Sequence, residues 1–331
     1  MPQSQTILIT GGAGYIGSHT AKCVAQAGHT PIIFDDLSEG NAWAIKYGTH
    51  IHASLADPTA IQKAFNDHNI DAVIHFAASV HVGDSVTNPI HYYENNVIAS
   101  LNLLNAMIQA NVKHIIFSST CATYGEPAKV PIDENNPQLP VNPYGETKLV
   151  VERALQSYAH AYGLRYAALR YFNAAGADPD GELGEIRKVE THLIPIALFA
   201  AMGRRAPLKV FGTDYPTPDG TCVRDYIHIN DLADAHLRAL DYLHTHDDNI
   251  AVNLGTGTGY SIRQVLDTIE KITGLVVPAE DAPRRKGDPP ELIADPGKAK
   301  ALLNWVPRHS DLETIIQNAY NFYDKNPDRL T

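Results

Sequence analysis

Cysteine is scarce in this chain: Cys23, Cys121 and Cys222 are the only three in 331 residues, odd in number and far apart. Their spacing excludes a disulfide framework and the usual zinc patterns, and it suits a reducing compartment. Long apolar runs are missing as well, and none approaches the roughly 18 residues that a membrane-spanning helix needs. Basic residues are in deficit, 26 Lys and Arg against 37 Asp and Glu, for a formal net charge of −11. That argues against a nucleic-acid partner, which needs a basic face, but not against an anionic small molecule held by a few local arginines. There is no internal repeat, low-complexity tract or evident linker, and no basic stretch precedes the first apolar run, so a cytoplasmic protein is expected. What remains is ordinary globular composition, 44% hydrophobic and 19% charged, in a chain long enough for one large domain or two modest ones.

Short apolar runs alternate with helical patterns from the start. "TILIT" (6–10), "PIIFD" (31–35), "AVIHF" (72–76), "HIIFSS" (114–119) and "RYAALRYF" (165–172) read as buried strands. Helical stretches at 15–28, 57–68, about 89–110 and about 143–162 lie between them. Such alternation implies right-handed crossovers and an α/β, doubly wound parallel sheet of Rossmann type. After about residue 173 the texture changes to turn-rich loops, "AAGADPDGELGE" and "GTDYPTPDGT", with helical patterns at 230–243, 261–273 and 310–323. The expected organisation is therefore a nucleotide-binding domain over 1–173 and a smaller mixed C-terminal substrate-binding part over 174–331, with an interleaved boundary.

"ITGGAGYIGSH" joins the first strand to the first helix, with Gly11, Gly14 and Gly17 spaced GxxGxxG. Two of these glycines allow a tight turn and close approach of a pyrophosphate, and the third lets helix and strand pack. The helix start then offers free N–H groups to the anion. The second strand ends in "FDDLSEG", where Asp35, with Asp36 beside it, is placed to accept from a ribose diol and to repel a 2′-phosphate, favouring NAD over NADP.

In "VNPYGETKLV", Asn142 suits a helix N-cap and Pro143 its first position, so Tyr144 and Lys148 fall on one helical face. A free phenol titrates near 10, and a general base at neutral pH must come down about three units, roughly 4 kcal/mol. A positive charge at about 5 Å with an effective dielectric of ~20 supplies about 3 kcal/mol. Lys148 is one candidate for that charge and an oxidised nicotinamide ring another. Ser118, Ser119 and Thr120 stand at a strand end facing the ligand crevice, where a hydroxyl can share the substrate's proton with Tyr144.

Together "TGGAGYIG", "HFAA", "FSSTCATYG", "NPYGETK", "RYFNAAG" and "DGTCVRDYIHINDLADAH" resemble UDP-glucose 4-epimerases of the extended short-chain dehydrogenase/reductase superfamily, over nearly the whole chain. The resemblance implies Tyr144 as catalytic base, Lys148 as its partner and holder of the nicotinamide ribose, and Thr120 as the hydroxyl. It implies cofactor contacts from Gly11, Gly14, Tyr15, Ile16, Gly17, Asp35, Asp36, Ser54, Leu55, Phe76, Ala77, Asn95 and Phe172. On the sugar-nucleotide side it points to Asn173, His192, Leu193, Phe211, Arg224, Arg285, Asp288 and Leu292. The implied reaction interconverts UDP-glucose and UDP-galactose by transient oxidation at sugar C4, with NAD retained and no metal. A homodimer through the helices around 89–110 and 143–162 is also implied.

The chain departs from the family pattern at Ser54, at His192, and at Val80 in "FAASVH". These positions bear on cofactor and substrate contacts, and none is part of the Tyr144, Lys148 and Thr120 set. Leu292 is intermediate in bulk at a position expected to gate N-acetylated sugars. A 4,6-dehydratase is disfavoured because Cys121 and Ala122, not an acid pair, follow Thr120. Pentose, uronate and N-acetylated UDP-sugars stay open as substrates, and a non-catalytic NAD sensor is the remote alternative.

Overall fold

Along the first strand, β1 (Thr6–Thr10), Ile7 and Ile9 enter one buried cluster and Leu8 another on the opposite side. A strand covered on both faces needs apolar residues at successive positions, which is why β1 reads as a run and not as an alternation. The computed structural model describes residues 4–285 and 287–329. Its main sheet has seven parallel strands, in the order Ile250–Leu254, β6 (Arg165–Tyr171), β5 (His114–Thr120), β4 (Ala72–His75), β1, β2 (Thr30–Asp35) and β3 (Thr49–His52). Helices α1 (Tyr15–Gln26) and Ile229–Thr245 pack on one face through Val24, Leu232 and Leu240. Helices α2 (Pro58–Asp67), Ala99–Gln109 and Pro143–Tyr162 cover the other through Ile61, Leu103 and Leu155. This is the expected doubly wound, Rossmann-type sheet. Strand order reverses between β1 and β4, and the crevice outside that reversal is where such folds bind ligands.

Two sheet strands go beyond the expected set. The strand β3 is a short, half-exposed edge, and Ile250–Leu254 pairs with β6 from Ile250 opposite Ala167 to Leu254 opposite Tyr171. The main sheet thus takes a strand, and α1 a packing partner, from the second half of the chain. The expected helix at 89–110 is interrupted: Pro89–Tyr92 runs into a π-helical turn, Tyr93–Ile98, before Ala99–Gln109. Such turns often sit at functional sites, and this one carries Asn95 and Asn96.

The remaining residues build a third core. Helices Leu193–Ala201, Ile262–Thr273 and Leu312–Lys325 bury Leu198, Val265, Ile315 and Phe322 together. Short strands join this part to the crevice: Tyr226–His228 pairs with Asn173–Ala175, and Val223–Arg224 lies between Tyr260–Ser261 and Glu291–Leu292. Among the described residues no helix is long and apolar enough to cross a membrane.

Candidate active site

The turn after β1 depends on two glycines. Gly11 has φ +69°, and a Cβ there would lie 2.6 Å from the Ala77 nitrogen just beyond β4. A Cβ on Gly17 would lie 2.2 Å from the Gly11 carbonyl oxygen, so only glycine lets α1 start this close to the strand end. Gly14 caps α1 without a side-chain hydrogen bond, and no acidic residue stands in the first turn. The first N–H groups of α1, from Tyr15 and Ile16 onward, are therefore free of a carboxylate that would compete with a pyrophosphate.

At the end of β2, Asp35 accepts from Ala13 N at 2.9 Å and Leu37 N at 2.8 Å, and burial raises its pKa. Each carboxylate oxygen keeps further acceptor capacity for a ribose diol. Burial also acts against the charged form of Asp36, but hydrogen bonds from Ser38 and Ser54 outweigh it and hold this carboxyl below its ordinary value. Ser54 thus braces the second aspartate, and Leu55 beside it is buried in the core. Phe76 packs on the His236 ring at 4.7 Å, while Asn95 donates to Ser79 Oγ at 3.0 Å from the π-helical turn. A cradle that any Cβ would fill, an uncompensated helix start and a carboxylate at the next strand end fit a dinucleotide.

The helix Pro143–Tyr162 begins as its sequence suggests, with Asn142 Oδ1 accepting from Gly145 N at 2.9 Å. Lys148 is buried, 3% exposed, and its Nζ donates to the Ser118 carbonyl at 2.9 Å. Burial pulls its pKa down to about 7. The Thr120 hydroxyl lies close enough to Tyr144 to lower its pKa, and Thr120 Oγ1 accepts from Ala122 N at 3.1 Å. The structure brings Tyr144, Lys148 and Thr120 to one place, but the electrostatics differ from the expectation. Burial pushes the Tyr144 phenol up to about 12, opposed by the Thr120 hydrogen bond and by the Arg187 guanidinium. The Lys148 amine is turned to the Ser118 carbonyl.

The comparisons with known proteins agree with this geometry. Residues 7–255 match the model of the NAD dependent epimerase/dehydratase family. A UDP-glucose 4-epimerase of Halalkalibacterium halodurans is 49% identical over 97% of this chain and 96% of its own length. The chain belongs to the NAD dependent epimerase/dehydratase family. Among solved structures, the UDP-glucose 4-epimerase from Brucella ovis in complex with NAD superposes with TM-score 0.94 at 51% identity, covering 96% of this chain and 98% of that one. The enzyme from Bifidobacterium longum in complex with NAD+ and UDP gives TM-score 0.92 at 38% identity, covering 98% and 99%.

In this member of the NAD dependent epimerase/dehydratase family, the residues expected on the sugar-nucleotide side fall into two groups. Arg224 and Arg285 converge on Asp288, with Arg224 Nη2 at 2.7 Å and Arg285 Nη2 at 2.9 Å, and Arg285 lies 5.0 Å over the Phe211 ring. Leu292 stands opposite Arg224 in the strand pair and packs in a cluster with Phe172. Asn173 Nδ2 donates to the Asp225 carbonyl at 2.9 Å. His192 belongs to another set: its Nδ1 stands 2.8 Å from Glu185, immediately before Leu193 opens its helix.

Apart from His192, sequence reasoning missed that second set. Arg187 Nε donates to Glu185 Oε1 at 2.6 Å, and its charge acts on Tyr15, His81 and Tyr144. Glu185, Glu190 and His192 place ligand atoms within 4.8 Å of one another, but Arg187 already takes one Glu185 oxygen. A single arginine in an irregular loop carries no periodic signal, so only the fold reveals it.

Proposed function

We infer that the protein interconverts UDP-glucose and UDP-galactose as an NAD-dependent 4-epimerase. The observation that carries this reading is the meeting of Tyr144 with Thr120 at the same end of the parallel sheet as the glycine turn, in a chain whose relatives bear that activity. NAD, when bound, would supply a reversible hydride acceptor and, oxidised, a positive charge. Tyr144 takes the proton of the sugar 4-hydroxyl and later returns it, and Thr120 holds that hydroxyl in line. Lys148 keeps the β5 end against the helix and would hold the nicotinamide ribose. Gly11, Gly14, Tyr15, Ile16, Gly17, Asp35, Asp36, Ser54, Leu55, Phe76, Ala77, Asn95 and Phe172 line the cofactor's path. Arg224 and Arg285 meet the diphosphate with paired donors, beside Asn173, His192, Leu193, Phe211, Asp288 and Leu292. Residues 1–173 chiefly serve the cofactor and 174–331 the UDP-sugar, in the cytoplasm.

The test is to supply purified protein with UDP-galactose and no added NAD, following UDP-glucose together with absorbance near 340 nm. Steady interconversion without net NADH is expected; NADH rising in proportion to product would make the enzyme a net dehydrogenase and end this reading.

A homodimer belongs to the same proposal. Val86, Ile90 and Ile98 on the helical run before Ala99, and Leu139, Val141 and Tyr162 around the Tyr144 helix, are all exposed apolar residues. Light scattering should give twice the chain mass, and Ile90→Glu, at a position 71% exposed, should reduce it towards one. A wild-type monomer at micromolar concentration would refute the dimer.

A further inference from the structure

The helix face that carries Tyr144 and Lys148 continues one turn further, to Glu152. Glu152 is buried with 3% of its side chain exposed, and four donors surround it. Ser119 Oγ lies 2.5 Å and Arg170 Nε 2.9 Å from Oε1; Arg170 Nη2 lies 2.6 Å and Gln138 Nε2 3.2 Å from Oε2. Beyond it, Arg170 Nη1 donates to Tyr124 OH at 3.0 Å, which donates to Asn253 Oδ1 at 2.7 Å. Asn253 Nδ2 reaches the Ile132 carbonyl at 2.8 Å, and Ile132 N reaches the Ile293 carbonyl at 2.8 Å, next to Leu292.

Three residues of one helix face thus meet three consecutive residues of β5: Tyr144 the Thr120 hydroxyl, Lys148 the Ser118 carbonyl, Glu152 the Ser119 hydroxyl. Strand side chains alternate, and β5 shows it, with Ile115 and Phe117 in the cluster on the helix side and Ile116 in the opposite one. Ser119 therefore points to the helix, and at the strand end its neighbour Thr120 carries the hydroxyl that Tyr144 meets, so the helix holds the strand at consecutive residues. An apolar pair would fill this volume without removing two charges from water. What a bidentate carboxylate–guanidinium pair adds is fixed direction.

We propose that Glu152 is a positioning residue for the reaction: clamped by Arg170, it fixes Ser119 and so keeps Thr120 in hydrogen-bonding register with Tyr144. The proposal rests on Tyr144 being the base. Ser119→Ala removes one hydroxyl and leaves the ion pair whole, so the fold should survive. Its kcat should fall about tenfold or more, as small misplacements of reacting groups do. KM and NAD content after gel filtration should stay near wild type. The acid limb of kcat should move to higher pH, because the Thr120 bond that holds the phenol down is weakened. Ser119→Thr should restore most of the rate, and Glu152→Gln should lose more than Ser119→Ala. Wild-type kcat and pH profile in Ser119→Ala, with any effect confined to melting temperature, would overturn the proposal. Tyr144→Phe is the control: if it turns over normally, the proposed function fails; if it is inert while Ser119→Ala is normal, only the positioning role fails.

Discussion

Lys148 removes an amine from water with one carbonyl as its hydrogen-bond partner, and the cost shows in a pKa drawn down to about 7 by burial. A group held against its own solvation weakens the fold, so an apolar side chain of similar length should be tolerated or preferred there. Lys148→Met is therefore expected to melt no lower than wild type while its turnover falls by about a hundredfold or more. Differential scanning fluorimetry and the UDP-galactose assay, run on one preparation, separate the two effects. A melting temperature lower by several degrees would mean that the Ser118 bond outweighs desolvation. Tyr144 makes the complementary point. The expectation of a lysine-lowered phenol came from spacing, and spacing correctly placed both residues on one face. It could not show that the amine turns to Ser118 or that the Arg187 guanidinium, forty-three residues on, also lowers the phenol's pKa.

Elements are held to the same tolerance as side chains. The start of α1 sits so close to β1 that a methyl group on Gly17 would overlap the Gly11 carbonyl at 2.2 Å, and backbone, unlike a long side chain, has no cheap way to yield. Gly17→Ala should shift the helix start, empty the cradle of NAD on gel filtration and lose activity that excess NAD restores only in part. Retention of stoichiometric NAD, read by absorbance after acid extraction, would show that the helix start can move. This turn was legible because glycines between an apolar run and a helical pattern have few other uses. The strands β1, β2, β4, β5 and β6 were legible for a related reason: two-sided burial writes them as apolar runs. The edge strand Thr49–His52 has one apolar residue in four, and its place in the sheet comes from pairing with β2. Ile250–Leu254 was missed because its position beside β6 is a long-range property, some eighty residues away along the chain. The π-helical turn at Tyr93–Ile98 was hidden by the continuous helical pattern around it.

Over the whole molecule, the buried histidines set how the fold responds to acid. His19, His75, His228 and His236 are at most 3% exposed, and burial holds their pKa values at about 4, about 3, about 4 and about 4. In the unfolded chain each titrates near 6.5. Between about pH 6.5 and 4 the unfolded chain therefore binds protons that the native state refuses, so stability rises with pH there and is lost as pH falls. Each histidine contributes up to about 1.4 kcal/mol per pH unit, and four together reach about 5 kcal/mol per unit, comparable with the whole stability of many domains. Asp35, Glu190 and Asp225, raised by burial, act in the opposite direction and offset part of this. The melting temperature should accordingly begin to fall near pH 6.5, well above ordinary carboxylate titration, and His236→Gln should make the fall shallower. A flat melting temperature from pH 7.5 to 5 would mean that these rings accept protons in the native state. His236 ties this response to function, since its ring packs on Phe76 at 4.7 Å and Tyr171 at 6.1 Å, beneath the crevice. Protonation of His236 should disturb Phe76, which is proposed to line the cofactor's path, so NAD retained after gel filtration is expected to fall with pH over the same range as the melting temperature.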